Sequence, residues 1–332
     1  SVQMRVLLTG ANGFVGSHIL DELCHRGIET SILLRSTSST AFINHRLNQI
    51  KVCRGSLDNP DSLKSALGDV THVIHCAGLV RALEPSDFYR ANQQGTRNLV
   101  EAINESGKNR VKRLVLISSL AATGPSAPGK LRREEDAPCP ITDYGRSKLA
   151  AEEEVIQNCE VEYTILRPPG IYGDRDGEFL RLFKAVRNHI LPLFGGGKQQ
   201  LSIVYVKDLA HVCVEALLEP EAAGRIYFVA NPQITTSGEL AKTIADELNV
   251  WTFPLYLPIQ ALYPICLCQE MISRLSKKPS VLSRQKYREL SAAAWTCDVS
   301  KLKNELGIVC QTSLKEGVKK TLEWYRSEGW LR

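Results

Sequence analysis

Thr9-Gly10-Ala11-Asn12-Gly13-Phe14-Val15-Gly16 follows the apolar run Arg5–Thr9 and leads into an amphipathic stretch that ends near Arg26. Glycines between a strand and a helix permit a tight turn and let the backbone come close to a bound group. The helix N-terminus beyond them favours negative charge. The stretch therefore predicts a pyrophosphate cradle at Gly10, Asn12, Gly13, Phe14, Val15 and Gly16, set against the alternative of a plain turn.

The same rhythm continues outward. Apolar runs at Thr30–Leu34, Lys51–Arg54, His72–His75, Arg113–Ser118 and Glu162–Leu166 alternate with amphipathic segments near Pro60–Leu67, Pro85–Ser106 and Thr142–Gln157. Short buried runs alternating with helices predict an α/β fold, a doubly wound parallel sheet of Rossmann type with ligands at the carboxyl ends of its strands. Beyond Gly173 the rhythm loosens into a helix near Phe179–Asn188, a glycine run at Gly195–Gly197, a strand and helix at Ile203–Leu218 and a strand at Ile226–Val229. Two later helices open on Thr236 with Glu239 and on Ser313 with Glu316, both capping-box patterns. The expected division gives a dinucleotide-binding domain at residues 1–173 plus 202–231, and an interleaved, smaller C-terminal substrate lobe at 174–201 plus 232–332.

Composition narrows the classes. The 332 residues are 43% apolar and 23% charged, with a net charge of +5. Without a basic stripe, nucleic acid is not an expected partner. Ten scattered cysteines show no CxxC pair and no zinc spacing, so no metal is expected. The N-terminus lacks the features of a signal peptide, and a cytoplasmic location is expected. Val250–Cys268 approaches the length of a membrane span, but Pro254, Pro258 and Pro264 interrupt it. No transmembrane span is expected there, and contact with a membrane surface is left open.

Two local patterns suggest chemistry. A carboxylate at the end of the second strand would pair with ribose hydroxyls, but that position reads Leu34 and is followed by Arg35, Ser36 and Thr37. A guanidinium beside hydroxyls suits a 2′-phosphate, so NADP(H) is the preferred expectation, with NAD(H) open and a solvated turn arginine as the bland alternative. Tyr144 and Lys148 lie one helical turn apart. A cation there is expected to lower the phenol's pKa and make Tyr144 an acid and base, with a hydroxyl from Ser118-Ser119 to orient a substrate oxygen.

Taken together, these residues resemble the extended short-chain dehydrogenase/reductase superfamily, including its NAD-dependent epimerase/dehydratase group. The resemblance spans nearly the whole chain. It adds His75-Cys76-Ala77-Gly78, Asn92-Gln93-Gln94-Gly95-Thr96, Arg167-Pro168-Pro169-Gly170-Ile171-Tyr172-Gly173 and Val204-Tyr205-Val206-Lys207-Asp208. It implies Ser119 as the catalytic serine, five residues before Gly124, with Ser118 as the neighbouring alternative. It implies catalytic roles for Tyr144 and Lys148, which also contact cofactor. It places Leu57 and Asp58 at adenine, Ala77 and Gly78 along the cofactor groove, Asn92 in support and Pro168 near the nicotinamide. His75 reads better as the end of a buried strand.

Within that superfamily, enzymes on nucleotide sugars usually carry an arginine where this chain has Leu201, and Arg167-Pro168-Pro169 resembles the 3β-hydroxysteroid dehydrogenase and dihydroflavonol 4-reductase branch. The resemblance implies an NADP(H)-dependent oxidoreductase acting on an apolar, steroid- or flavonoid-like carbonyl or alcohol. A nucleotide-sugar 4-epimerase or dehydratase is the alternative, and a non-catalytic NADP(H)-binding sensor is the alternative from another class. A homodimer built from the helices near Pro85–Ser106 and Thr142–Gln157 is also implied.

Overall fold

The computed structural model describes residues 3–332. Its centre is a seven-stranded sheet of β1 (Arg5–Thr9), β2 (Glu29–Leu34), β3 (Lys51–Arg54), β4 (His72–His75), β5 (Arg113–Ile117), β6 (Tyr163–Arg167) and β7 (Arg225–Phe228). All neighbours pair in parallel, in the order β7-β6-β5-β4-β1-β2-β3. The strand order reverses between β1 and β4, so their carboxyl ends diverge there into the crevice that binds ligands in such sheets.

Helices cover both faces because the central strands are apolar on both sides. On one face α1 (Phe14–His25) and Val206–Leu218 pack Ile19, Leu23, Leu209 and Val212 against Val6, Leu8 and Ile74. On the other, Pro60–Ala66, Gly95–Ser106 and Asp143–Asn158 pack Leu63, Leu99 and Val155 against Leu7, Val73 and Leu114. In chain order we name these helices α2 (Pro60–Ala66), α3 (Gly95–Ser106), α4 (Asp143–Asn158) and, after α5 (Gly177–Arg187), α6 (Val206–Leu218).

A third core lies away from the sheet. It joins Tyr172, Phe183, Ile203 and Tyr205 to α7 (Ser237–Leu248) and to the last helix, Leu314–Ser327, which contributes Val318, Leu322 and Tyr325. The capping box at Thr236 and Glu239 forms with both of its hydrogen bonds, and Ser313 accepts from the Glu316 N–H.

Pro85–Ser106 reads as one helix but comprises a short turn at Pro85–Phe88, a wider π-helical stretch at Tyr89–Gln94 and then α3. The wide turn coincides with buried Asn92, whose amide is bound on both sides. π-helical turns of this kind are frequent at functional sites. All ten cysteines are free thiols.

Candidate active site

The loop after β1 is built around two close backbone approaches. Gly10 has φ +75°, and a Cβ there would meet the Ala77 nitrogen at 2.7 Å; a Cβ on Gly16 would meet the Gly10 oxygen at 1.8 Å. A side chain at Gly10 would push away the segment after β4, and one at Gly16 would push α1 off the turn after β1. Gly13 is the N-cap of α1, with no side-chain cap and no acidic residue in the first turn. By contrast, Thr142, Asp176 and Thr236 cap their own helices through side chains. The start of α1 therefore keeps its amides free for an anion, which is the arrangement a dinucleotide pyrophosphate requires.

Across the crevice, the segment after β4 is held to β1. Thr9 Oγ1 accepts from the Cys76 and Ala77 N–H groups at 3.2 Å each. His75 bridges Thr9 Oγ1 at 2.6 Å and Thr96 Oγ1 at 3.0 Å, and burial pulls its pKa down to about 3. A neutral, doubly bonded imidazole is a structural strut, as its place at a strand end suggests. Asn92 accepts from the Leu79 N–H at 2.8 Å and donates to Ser147 Oγ at 2.9 Å, so it ties this loop to α4.

The two serines after β5 separate cleanly. Ser118 is buried and donates to Glu152 Oε2 at 2.5 Å, and Glu152 is also clamped by Arg167 Nη2 at 2.6 Å. That hydroxyl is committed to the interior, which leaves only the backbone of Ser118 to face a ligand. Ser119 is half-buried, accepts from the Ala121 N–H at 3.1 Å and stands beside the Tyr144 phenol, whose pKa it lowers. The Leu120 N–H donates to the Pro168 carbonyl at 2.9 Å, which fixes the buried Pro168 beside this turn.

Tyr144 and Lys148 emerge from the first turns of α4. Lys148 Nζ donates to the Ile117 carbonyl at 3.1 Å, and a Cβ on Gly78 would lie 3.5 Å from that nitrogen. The amine therefore stands between the ends of β4 and β5. Burial lowers its pKa, with Cys76 and Glu152 opposing. The expected lowering of the Tyr144 pKa is overturned. Burial pushes the phenol well above its ordinary range, the neighbouring Ser119 hydroxyl opposes this, and Glu289, Glu178 and Cys76 add to the rise. The physical reason is that full burial strips water from the phenolate and acidic neighbours add to the penalty, so the charged form is disfavoured.

Toward the other end of the crevice, Leu34 is buried in the core while Arg35, Ser36 and Asp58 are exposed. Arg35 makes no ion pair among the described residues. Leu57 packs over Gly95, and its carbonyl accepts from Asn98 Nδ2 at 2.8 Å. Thus the glycine loop, Ala77, Gly78, Ser119, Tyr144, Lys148 and Pro168 gather at the sheet's switch point, and Arg35, Ser36, Leu57 and Asp58 lie along the neighbouring strand ends.

One contributor carries no sequence signal. Gln285, on Arg284–Ser291, accepts through Oε1 from the Asp143 N–H at 2.7 Å and the Tyr144 N–H at 3.3 Å. A side chain from the C-terminal lobe thus caps the helix that carries Tyr144. Around it, Arg81 pairs with Glu178 at 2.7 Å and Lys286 with Glu289 at 3.1 Å, which closes the rim with compensated charges.

The family described as NAD dependent epimerase/dehydratase matches residues 6–230. A ceramide reductase from Caulobacter vibrioides is 29% identical over 98% of this chain and 96% of its own length. A UDP-glucose 4-epimerase from Vibrio cholerae is 27% identical over 96% of this chain and 94% of its own. In fold, the chain matches the NAD complex of a UDP-glucose 4-epimerase from Thermus thermophilus with a TM-score of 0.77 and 24% identity, over 97% and 99% of the two chains.

Proposed function

Because the chain belongs to the NAD dependent epimerase/dehydratase family of extended short-chain oxidoreductases, we propose that it interconverts a ketone and a secondary alcohol on an apolar, lipid-like small molecule and prefers NADP(H). The observation that carries this reading is the meeting of Ser119 and Tyr144 with Lys148 at the end of the crevice whose glycine loop leaves a helix N-terminus free.

The residues fit the cofactor. The amides behind Gly13 would hold the pyrophosphate, Leu57 and Asp58 would flank adenine, and Ala77, Gly78, Asn92 and Pro168 would line or support the groove. Arg35 and Ser36 would hold a 2′-phosphate. When bound, the nicotinamide supplies or accepts the hydride at the substrate carbon. In reduction, Tyr144 gives its phenolic proton to the substrate oxygen as the C=O pair becomes a hydroxyl, and the proton is replaced from solvent. Ser119 Oγ holds that oxygen beside the phenol. Lys148, fixed by the Ile117 carbonyl, favours the phenolate left behind. The reverse sequence oxidises the alcohol.

Similarity to a ceramide reductase over nearly the whole chain favours an apolar substrate. Leu201, where an arginine would clamp a sugar diphosphate, packs into the apolar core of the C-terminal lobe. The likeness to UDP-glucose 4-epimerases keeps a second reading in play, since the same trio can serve a sugar. A panel of apolar ketones and alcohols, followed by oxidation or reduction of NADP(H) and NAD(H), tests the proposal beside thin-layer assay of UDP- and dTDP-sugars. Sugar epimerisation without carbonyl turnover would replace the reading, and cofactor binding without any turnover would make the protein a sensor.

A further inference from the structure

The helix Leu262–Ser276, which we name α8, turns an apolar side to solvent. Leu262, Cys266 and Ser273 are buried on its inner side. On the opposite side Leu267, Met271 and Leu275 recur every four residues, and Met271, Ile272 and Leu275 are 59%, 62% and 85% exposed. An apolar stripe this exposed on the outer side of a helix belongs against an apolar surface. Of the sixteen exposed large apolar residues, ten fall between Trp251 and Leu275, so the exposure is concentrated and not scattered.

Charge points to what covers this side. Residues 251–290 hold six Lys or Arg (Arg274, Lys277, Lys278, Arg284, Lys286, Arg288) against two Glu (Glu270, Glu289), a net +4 within a chain of net +5. Glu270 is shared by Arg274 at 3.5 Å and Arg284 at 2.9 Å, and Glu289 is taken by Lys286. Lys277, Lys278 and Arg288 form no ion pair among the described residues. The two lysines follow Leu275 after a single serine, Ser276, so cations edge the apolar side. Exposed Trp251, Tyr256 and Tyr263 add rings of the kind that settle at a membrane interface.

We propose that α8 and the basic turn after it dock the protein onto the surface of an anionic phospholipid bilayer. Two copies meeting through this same face would bring like charges together, since the segment carries a net +4. An anionic bilayer offers both hydrocarbon and negative charge. Docking lies flat, since no helix among the described residues is long and apolar enough to cross a membrane. It does not depend on the substrate class. Its geometry nevertheless matters to the site: Tyr263 of α8 packs edge-on against Tyr287 at 5.2 Å, and Tyr287 shares its helix with Gln285, which caps the helix of Tyr144. The docked element thus stands one layer from the phenol.

The full chain is to be sedimented with vesicles of phosphatidylcholine alone and of phosphatidylcholine mixed with phosphatidylglycerol. The wild type should pellet with the mixed vesicles and be released by salt. Lys277→Glu with Lys278→Glu should weaken binding at least about tenfold, as should Met271→Glu with Leu275→Glu, while both variants keep the wild-type melting temperature. The proposal is overturned if the wild type stays in the supernatant with anionic vesicles, or if the variants pellet as it does. It is equally overturned if light scattering shows a wild-type dimer that the Met271→Glu, Leu275→Glu variant disperses, with no vesicle binding.

Discussion

Tyr144 faces opposing demands, since burial that favours the protonated phenol also makes the phenolate hard to leave behind. Ser119 and Lys148 are the neighbours able to ease that step. Tyr144→Phe keeps the ring, which lies 6.0 Å from Phe88. It should therefore cut turnover by about two to four orders of magnitude while NADPH affinity stays within several-fold. Turnover close to wild type would remove the phenol from the mechanism. Ser119→Ala should cost less, and Ser118→Ala should show mainly as lost stability because its hydroxyl serves Glu152. The proposed NADP(H) preference rests on Arg35: charge-assisted bonds to a 2′-phosphate are worth roughly 1.5–3 kcal/mol. Calorimetry should find NADPH tighter than NADH, and Arg35→Ala, at an exposed position, should remove most of that difference; equal wild-type affinities would make Arg35 a turn residue only. Asp176 gives a pH signature. Burial pushes its pKa from 3.8 up to about 7, and its Oδ2 has no partner. The folded chain thus holds a proton that the unfolded chain releases between those values, so stability falls as pH rises through that window. Asp176→Asn keeps an N-cap oxygen for the Glu178 N–H. Buried, neutral His18 and His75 raise the stability of both proteins as pH rises toward 6.5, so Asp176 is read from the difference: between about pH 5 and about pH 8 the wild type should lose on the order of 2 kcal/mol relative to the variant, and parallel curves would reject the assignment.

At the level of elements, the helix holding Gln285 acts on chemistry it does not touch. Removing its acceptor leaves the Asp143 and Tyr144 N–H groups without their partner, at a cost of about 1–3 kcal/mol if they stay dry. Gln285→Leu should lower kcat about tenfold with NADPH affinity unchanged, and Gln285→Glu, which keeps an oxygen there, should lose less. Unaltered kinetics in the leucine variant would show that Thr142 alone fixes the helix start. No motif announces Gln285, because its partners are backbone amides some 140 positions away. The sheet was legible for the opposite reason: β1, β2, β4, β5 and β6 are short, mostly buried runs, and helices with their own boundary signals alternate with the strands. The strand pair Ile190–Phe194 and Phe253–Leu257 was not, since it joins distant segments and carries Pro192 and Pro254. Pro264 reads as a breaker, yet it sits in the first turn of α8, where the missing N–H is not needed. The glycine loop and the spacing of Tyr144 and Lys148 were readable in the sequence; the phenol's raised pKa was not, because burial depends on tertiary packing.

Across the whole molecule, the C-terminal helix Leu314–Ser327 reaches back to the edge of the site. Tyr325 is fully buried, packs edge-on against Phe183 at 5.1 Å, and its hydroxyl donates to the Asp176 carbonyl at the start of α5. The helix can approach this closely because of Gly317: a Cβ there would lie 2.0 Å from the Tyr172 hydroxyl and 2.7 Å from its ring carbon. Tyr172 is itself buried in the same core, so it has no room to retreat. Gly317→Ala should therefore cost about 1–3 kcal/mol as an overpacked contact, despite the better helix propensity of alanine. Tyr172→Phe removes the nearest atom of the clash but leaves the ring carbon, so it should restore part of the loss in the double variant. Denaturant melts of the wild type, both single variants and the double variant measure that coupling. A coupling near zero would mean that the helix shifts as a body, and the loop at Asp176 would then move with it and disturb turnover. A coupling of about 1 kcal/mol, with activity preserved in the double variant, would show that the last helix locks the lobe through this one contact.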